Sequence, residues 1–299
     1  MKTINIIGAG RLGKTIARLI VQYKVGQIQG VCNTSSASAE EAVHFIGSGV
    51  VCDHIAQLPP AEITIISTPD DVIRDVAEEL SHSPQLQPSS LIFHCSGSLT
   101  SDLLSTLKEK SCRVASAHPM RSFAIPAISV EKYQGTLCAI EGDENTVEEV
   151  SELFSKIGSV TFSLNKEKKS LYHASGVFSS NYLITLFNTA KKCLLEADID
   201  EEVANQLILS LMSGTIKNLE STGSARKSLT GPIKRGDSET VKKHIQAFTD
   251  TKIEKLYRVL GANTIEIADL ESGKKEKLID VLDRTFTDET PKNKILAKL

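Results

Sequence analysis

The sequence carries no excess of one charge, no long apolar run and no paired cysteine spacing. Its formal net charge is −3. Residues 1–165 hold 12 basic and 18 acidic side chains, and residues 166–299 hold 22 and 19. Neither balance makes the basic surface that a nucleic acid or an anionic membrane needs. No apolar stretch approaches the roughly 20 residues of a membrane helix. Met1-Lys2-Thr3 runs directly into a strand pattern, without the apolar core and cleavage site of a signal peptide. The six cysteines (32, 52, 95, 112, 138 and 193) form no Cys-x-x-Cys pair, and no histidine pair has zinc spacing. These absences predict reduced, mostly buried thiols, no metal site and a cytoplasmic protein. There is no internal repeat and no low-complexity segment.

What is present is enough for a core. The chain has 299 residues, 40% hydrophobic and 24% charged, a length suited to one large or two medium domains. In the first half, short β-branched runs predict strands at Thr3–Ile7, Gln27–Cys32, Ile63–Ser67, Leu91–His94, Arg113–Ser116, Thr136–Glu141 and Ser159–Ser163. Helical patterns lie between several of them, at Gly13–Tyr23, Ala39–Ile46, Asp71–Leu80, Ser101–Lys110 and Asn145–Ile157. Strands alternating with helices imply parallel pairing and a layered α/β sheet. From about Lys166 only helical patterns remain: Lys168–Glu196, Glu201–Leu219, Glu239–Phe248, Thr251–Leu260 and Lys275–Asp283. The fold class is therefore α/β, a doubly wound Rossmann domain over residues 1–165 followed by an all-helical domain over 166–299.

The strand Ile4–Ile7 leads into Gly8-Ala9-Gly10-Arg11-Leu12-Gly13, and a helical pattern follows. In this context Gly-x-Gly-x-x-Gly is a dinucleotide fingerprint. Gly8 allows the tight turn, Gly10 the approach of the diphosphate and Gly13 close packing of helix on strand. The diphosphate would rest on the exposed N–H groups of the helix N-terminus. An NAD-selective fold places an acid near the end of the second strand, for the ribose 2′-hydroxyl. Here that strand ends in Asn33-Thr34-Ser35-Ser36, with no carboxylate before Glu40. Small donors there, with Arg11 in the glycine loop, favour NADP over NAD, the 2′-phosphate being repelled by acids and held by cations.

Ligands of open α/β sheets bind beyond the carboxyl ends of the strands. Ser67-Thr68-Pro69 ends one such strand and can run along the cofactor, while Asp70-Asp71 suit capping of the next helix. Ser96-Gly97 follows His94-Cys95, and Gly97 suggests close approach of a ligand. His94 reads equally well as a plain strand-end residue. His118-Pro119-Met120-Arg121 joins an imidazole that can exchange a proton to a guanidinium that can hold a carboxylate. A turn-fixing hydrogen bond is the competing account of His118. On the next helix, Lys169, His173, Gly176 and Ser180 share a stripe about 60° wide at 100° per residue, with Asn181 just off it. This predicts a wall of the active site, with Lys169 and His173 as acid or anchor, or else a solvated helix face. Leu229–Asp237 (LTGPIKRGD) either binds an anion or only shapes a turn.

These motifs, with Tyr172–Tyr182 (YHASGVFSSNY), resemble the 6-phosphogluconate dehydrogenase-like superfamily, which includes pyrroline-5-carboxylate, ketopantoate and prephenate dehydrogenase groups. Within it the chain most resembles a bacterial group of Rossmann-like NADP oxidoreductases with a C-terminal helical domain of unknown function. The resemblance implies hydride transfer, a substrate in the interdomain cleft and homodimers made through the helical domain. His118-Pro119-Met120 is similar to the His-Pro-Met turn of prephenate dehydrogenases, but Arg121-Ser122 replaces the small residues expected next. The β-hydroxyacid dehydrogenases carry a helix lysine with asparagine four residues later, whereas Lys169 is followed by His173. The expectation is an NADP(H)-dependent enzyme acting on a small C=O or C=N compound that carries a carboxylate. His118, His173 and Lys169 are its acid–base candidates, and Arg121 and Asn181 its anchors. The competing expectation is a dinucleotide-binding sensor or scaffold without catalysis.

Overall fold

The computed structural model describes residues 1–283. The chain forms two compact units, one over Met1–Asn181 and one beginning at Tyr182. The first unit thus runs past the boundary expected at residue 165. The reason is local: helix Lys169–Gly176 sends Lys169 and Tyr172 into hydrogen bonds with strand residues.

The first unit is an eight-stranded sheet in the order β3-β2-β1-β4-β5-β6-β7-β8. Its strands are β1 Lys2–Ile7, β2 Gly26–Cys32, β3 Val50–Cys52, β4 Ile63–Ile66, β5 Leu91–His94, β6 Arg113–Pro119, β7 Leu137–Gly142 and β8 Val160–Ser163. The order reverses between β1 and β4, so the loops after these two strands flank the switch point where such sheets bind ligands. β4 and β5 are buried along their whole length, as strands covered on both faces must be. Helices α1 Arg11–Gln22, α2 Ser36–Ile46, α3 Ile73–Ser81, α4 Ser105–Glu109, α5 Pro126–Glu131 and α6 Glu144–Lys156 accompany the sheet, and α7 Lys169–Gly176 follows β8.

Two features depart from the sequence reading. β3 is only three residues long, too short for its pattern to show. β7 runs antiparallel to β6, pairing Ser116 with Glu141 and His118 with Ala139. The segment between them holds only the six-residue α5, which packs on α1. An antiparallel return needs no crossover helix over the sheet.

The second unit contains α8 Tyr182–Glu196, α9 Glu201–Thr222, α10 Ala225–Ser228, α11 Gly231–Arg235, α12 Ser238–Ala247, α13 Thr251–Ile267 and α14 Ser272–Asp283. A small core of Val241, Ile245, Ile265, Leu278 and Leu282 holds its last helices together. Leu229–Asp237 contains the short helix α11, bounded by Gly231 and Gly236 with positive φ, and Asp237 caps α12 at Thr240 N. The helix expected over Lys168–Glu196 is interrupted by a π-helical turn at Val177–Asn181. Wider π spacing rotates Ser180 off the stripe of Lys169, His173 and Gly176. All six cysteines are unpaired, and no helix of the described residues is long and apolar enough to cross a membrane.

Candidate functional site

The glycine loop after β1 is fixed by its neighbours. Gly8 has φ +84 and donates its N–H to Cys32 O at 2.8 Å. A side chain there would meet Thr68 at 2.6 Å. A Cβ on Gly13 would strike Ser67 Oγ and Gly8 O, so α1 lies directly on the β4 end. Gly10 differs: nothing stands within 4 Å of its would-be Cβ. Gly10 is also the N-cap of α1 and supplies no side-chain cap. The first intrahelical bond runs from Lys14 N to Gly10 O, which leaves the N–H groups of Arg11, Leu12 and Gly13 without helical acceptors. No acid lies in this first turn, and the Arg11 side chain is exposed. Open space, three donors and a positive dipole end fit a diphosphate.

Next to the loop, the β2 end is arranged differently from the sequence expectation. Asn33 turns inward, accepting from Ala9 N at 2.6 Å and donating to Ser38 Oγ at 2.9 Å. It therefore holds the glycine loop in place and has little left for a ribose phosphate. Ser35 caps α2, accepting from Ser38 N. Ser36 donates to the Asp53 carboxylate. Asp53, just after β3, thus brings a carboxylate to the β2 loop through tertiary contact, where the local sequence has none before Glu40. Thr34 remains exposed.

On the other side of the switch point the loops carry titratable groups. His94, 0% exposed, accepts from Ser96 N through Nδ1 and donates from Nε2 to Thr100 O at 3.0 Å. Burial, then the Lys169 charge, holds its imidazole down to about 4, so it is a neutral clasp for the β5 loop. Ser98 donates to Asp70 Oδ2 at 2.7 Å, tying that loop to the β4 end. Asp70 thereby holds the β5 loop, and no side-chain cap bond forms on the helical turns that follow it.

His118, near the end of β6, sits over Gly97. A Cβ on Gly97 would lie 2.7 Å from His118 Cε1 and from His173 Cδ2, so the missing side chain is what lets both rings meet. Their centroids are 6.1 Å apart at 69°. His118 Nδ1 is 2.9 Å from the Tyr172 hydroxyl, which leaves Nε2 as the unengaged ring nitrogen, 2.8 Å from the would-be Cβ of Gly97. Burial, then His173 and the Lys169 cation, hold the His118 imidazole down to about 4, against the opposing pull of Asp70. Arg121 follows in the next turn, half-buried. Among the described residues, its Nε and Thr68 Oγ1 are the buried side-chain polar atoms left without a hydrogen bond.

Lys169 corrects the sequence expectation. It does not line an open wall: its side chain is 2% exposed and paired with Glu141 at 2.9 Å, itself 3% exposed. Lys169 also donates to Ser116 Oγ, and Glu141 accepts from Ser101 N at 2.8 Å and Ser101 Oγ at 2.7 Å. Gly176 likewise packs on Met120 rather than making room, its would-be Cβ 3.3 Å from Met120 Cε. Asn181 ends the π turn and is exposed. Glu141, Tyr172 and Asp53 were not legible as site residues. The one signal for Glu141 was a lone acid closing an apolar strand, TLCAIE.

Among the described residues no cluster of three histidine, cysteine or acidic side chains could hold a metal ion. A cavity of about 450 Å³ opens at the opposite sheet edge, by the amino ends of the strands. Its lining charges satisfy one another: Glu149 pairs with Lys2 and Arg113, and Glu62 accepts from Thr3 N.

With this geometry the chain can be compared with known proteins. Its fold matches a Bacteroides fragilis protein described provisionally as an NADP oxidoreductase, at TM-score 0.73 and 19% identity over 89% of this chain and 98% of the other. It matches a Thermotoga maritima protein at TM-score 0.70 and 27% identity over the same shares, 89% and 98%. It also matches an imine reductase from Myxococcus stipitatus in complex with NADP+, at TM-score 0.60 and 13% identity over 89% and 92%. No curated protein matches it in sequence. Residues 2–119 match a Rossmann-like domain, and residues 136–264 match a domain of unknown function, DUF2520. The fold is thus shared with NAD(P)-dependent dehydrogenases and reductases, and the chain joins a region that matches a Rossmann-like domain to one that matches DUF2520.

Proposed function

We propose that this protein is an NADP(H)-dependent oxidoreductase acting on a small C=O or C=N compound that carries a carboxylate. The observation that carries the reading is the open space at Gly10, over the donor-rich start of α1 and on the same sheet edge as His118. A bound nicotinamide supplies the hydride chemistry, and the chain supplies orientation and a proton site. Held neutral, His118 accepts through Nε2 the proton leaving a substrate hydroxyl or amine, and returns it in the reductive direction. His173 borders the same space. Arg121, with its unpaired Nε, is the anchor for a substrate carboxylate. Exposed Arg11 favours the 2′-phosphate of NADP, and Asp53 near Ser36 opposes it. NADP remains the preferred cofactor, with a margin over NAD that Asp53 sets.

The helical unit completes the proposal as a homodimer surface. Val203, Leu207 and Leu211 recur every fourth residue on α9 and are exposed, Leu211 by 72%. An apolar stripe of this kind on a long helix suits a second copy of the chain. Light scattering that gives a monomer mass at micromolar concentration would remove this part.

The main test is calorimetric titration of the full chain with NADPH and then NADH, repeated on Gly10→Asp, followed by turnover assays with small oxo and imino acids. Micromolar NADPH binding that Gly10→Asp abolishes, with turnover of one such acid, is the expected result. Binding without any turnover favours the sensor or scaffold reading. No binding of either cofactor defeats the proposal.

A further inference from the structure

The buried pair Lys169–Glu141 has no role in the reading above, yet it places two charged side chains in the interior of the first unit. Both side chains are sealed, at 2% and 3% exposure. Removing two charges from water carries a penalty that their attraction repays only with good geometry and further hydrogen bonds. Those bonds are present. Glu141 accepts from Lys169, Ser101 N and Ser101 Oγ, while Lys169 also donates to Ser116. Ser116 and Glu141 are register partners across β6 and β7, so Lys169 closes a bridge over one strand pair.

Placement gives the bridge its meaning. Ser116 lies two residues before His118 on β6, hence on the same face. On α7, Lys169 lies three residues before Tyr172 and four before His173, one helical turn away. Tyr172 bonds His118 Nδ1 at 2.9 Å, and His173 meets the His118 ring over Gly97. The same helix is therefore fixed to the sheet at one end and holds the imidazole at the other.

We propose that the Lys169–Glu141 pair is a positioning device for His118, seating α7 on β6 and β7 so that Tyr172 engages Nδ1 and Nε2 is left for the substrate. It rests on the reading of His118 as the proton site. Other charged or titratable groups also face His118: His173 and Tyr172 from α7, Lys169 behind it, and Asp70 from the β4 end. Lys169 is the nearby cation and opposes the imidazolium, and Glu141 is its ion-pair partner at 2.9 Å.

The test uses full-length protein with isotope-labelled histidine, following the His118 ring signals by NMR against pH. The signals are identified by their loss in His118→Gln. Wild type is expected to titrate well below the ordinary histidine range with one dominant tautomer. In Lys169→Met/Glu141→Gln, loss of the cation is expected to raise the midpoint and to mix the tautomers. Ser116→Ala, which removes one small hydroxyl and should fold, keeps the cation and loosens its seat, and is expected to mix the tautomers by less while the midpoint stays near wild type. Tyr172→Phe should mix the tautomers alone. Unchanged His118 titration and tautomer in the double variant, or an unchanged tautomer in Ser116→Ala, whatever the change in melting temperature, overturns the proposal. If the double variant does not fold, Ser116→Ala decides. This readout needs no substrate, so a failure of NADPH binding in calorimetry defeats the functional reading without deciding this one.

Discussion

The two sides of the switch point are built from different materials. The side after β1 and β2 is mostly backbone: an open Gly10, helix N–H groups, and an Asn33 spent on holding the loop. The side after β5 and β6 is made of ionisable side chains: His94, His118, His173, Lys169 and Glu141, with a glycine only to let two rings meet. The first side is complementary to a shape and a negative charge, and adding atoms damages it. The second is complementary to a proton, and altering charge damages it. The lesson is that binding and chemistry on one sheet edge can fail separately.

Four measurements sharpen or break that division. The largest effect is expected for His118→Gln, with turnover lowered about 10²–10⁴-fold and NADPH affinity unchanged. A parallel loss of cofactor binding would merge the two sides. Gly10→Asp is expected to do the reverse. The new side chain has open space, so the melting temperature holds, while its carboxylate would stand where the proposed diphosphate rests and weaken NADPH by at least about 100-fold.

Acid is expected to strike the ionisable side. His94 and His118 are held near 4 in the fold against an ordinary 6.5, so the unfolded chain takes up their protons first. Their stabilising contribution is complete above about pH 6.5 and is lost as pH falls toward 4, up to about 3 kcal/mol for buried His94. Denaturant midpoints measured across pH 4–7 check this, and a flat profile would show that these imidazoles are not held neutral. The smallest effect is a ratio. Asp53→Asn removes the carboxylate beside Ser36 and is expected to shift preference toward NADPH over NADH by several-fold. No change would place Asp53 outside the ribose site.

Much of the fold was legible because it repeats a simple pattern. β4 and β5 are short apolar runs, and their strand ends, glycine loop and helix N-terminus sit where periodicity and Gly8–Gly13 put them. The helical second half showed in the same way. β3 was too short to show, and the antiparallel β7 was misread because local sequence carries no sign of strand direction. The π turn at Val177–Asn181 broke the helical wheel on which Ser180 was placed.

The sequence by itself determined the glycine loop between β1 and α1, because three glycines within six residues act through their own backbone and need no distant partner. It also nominated His118 and His173, as titratable side chains on a strand end and on a helix. Only the tertiary structure decided what each group faces. It turned Asn33 inward to Ala9, brought Asp53 across from β3, sealed Lys169 against Glu141 and Ser116, and laid Tyr172 on His118. Those four outcomes depend on contacts between residues from 17 to 54 positions apart. Such contacts are set by how strands and helices pack, and no local pattern specifies them.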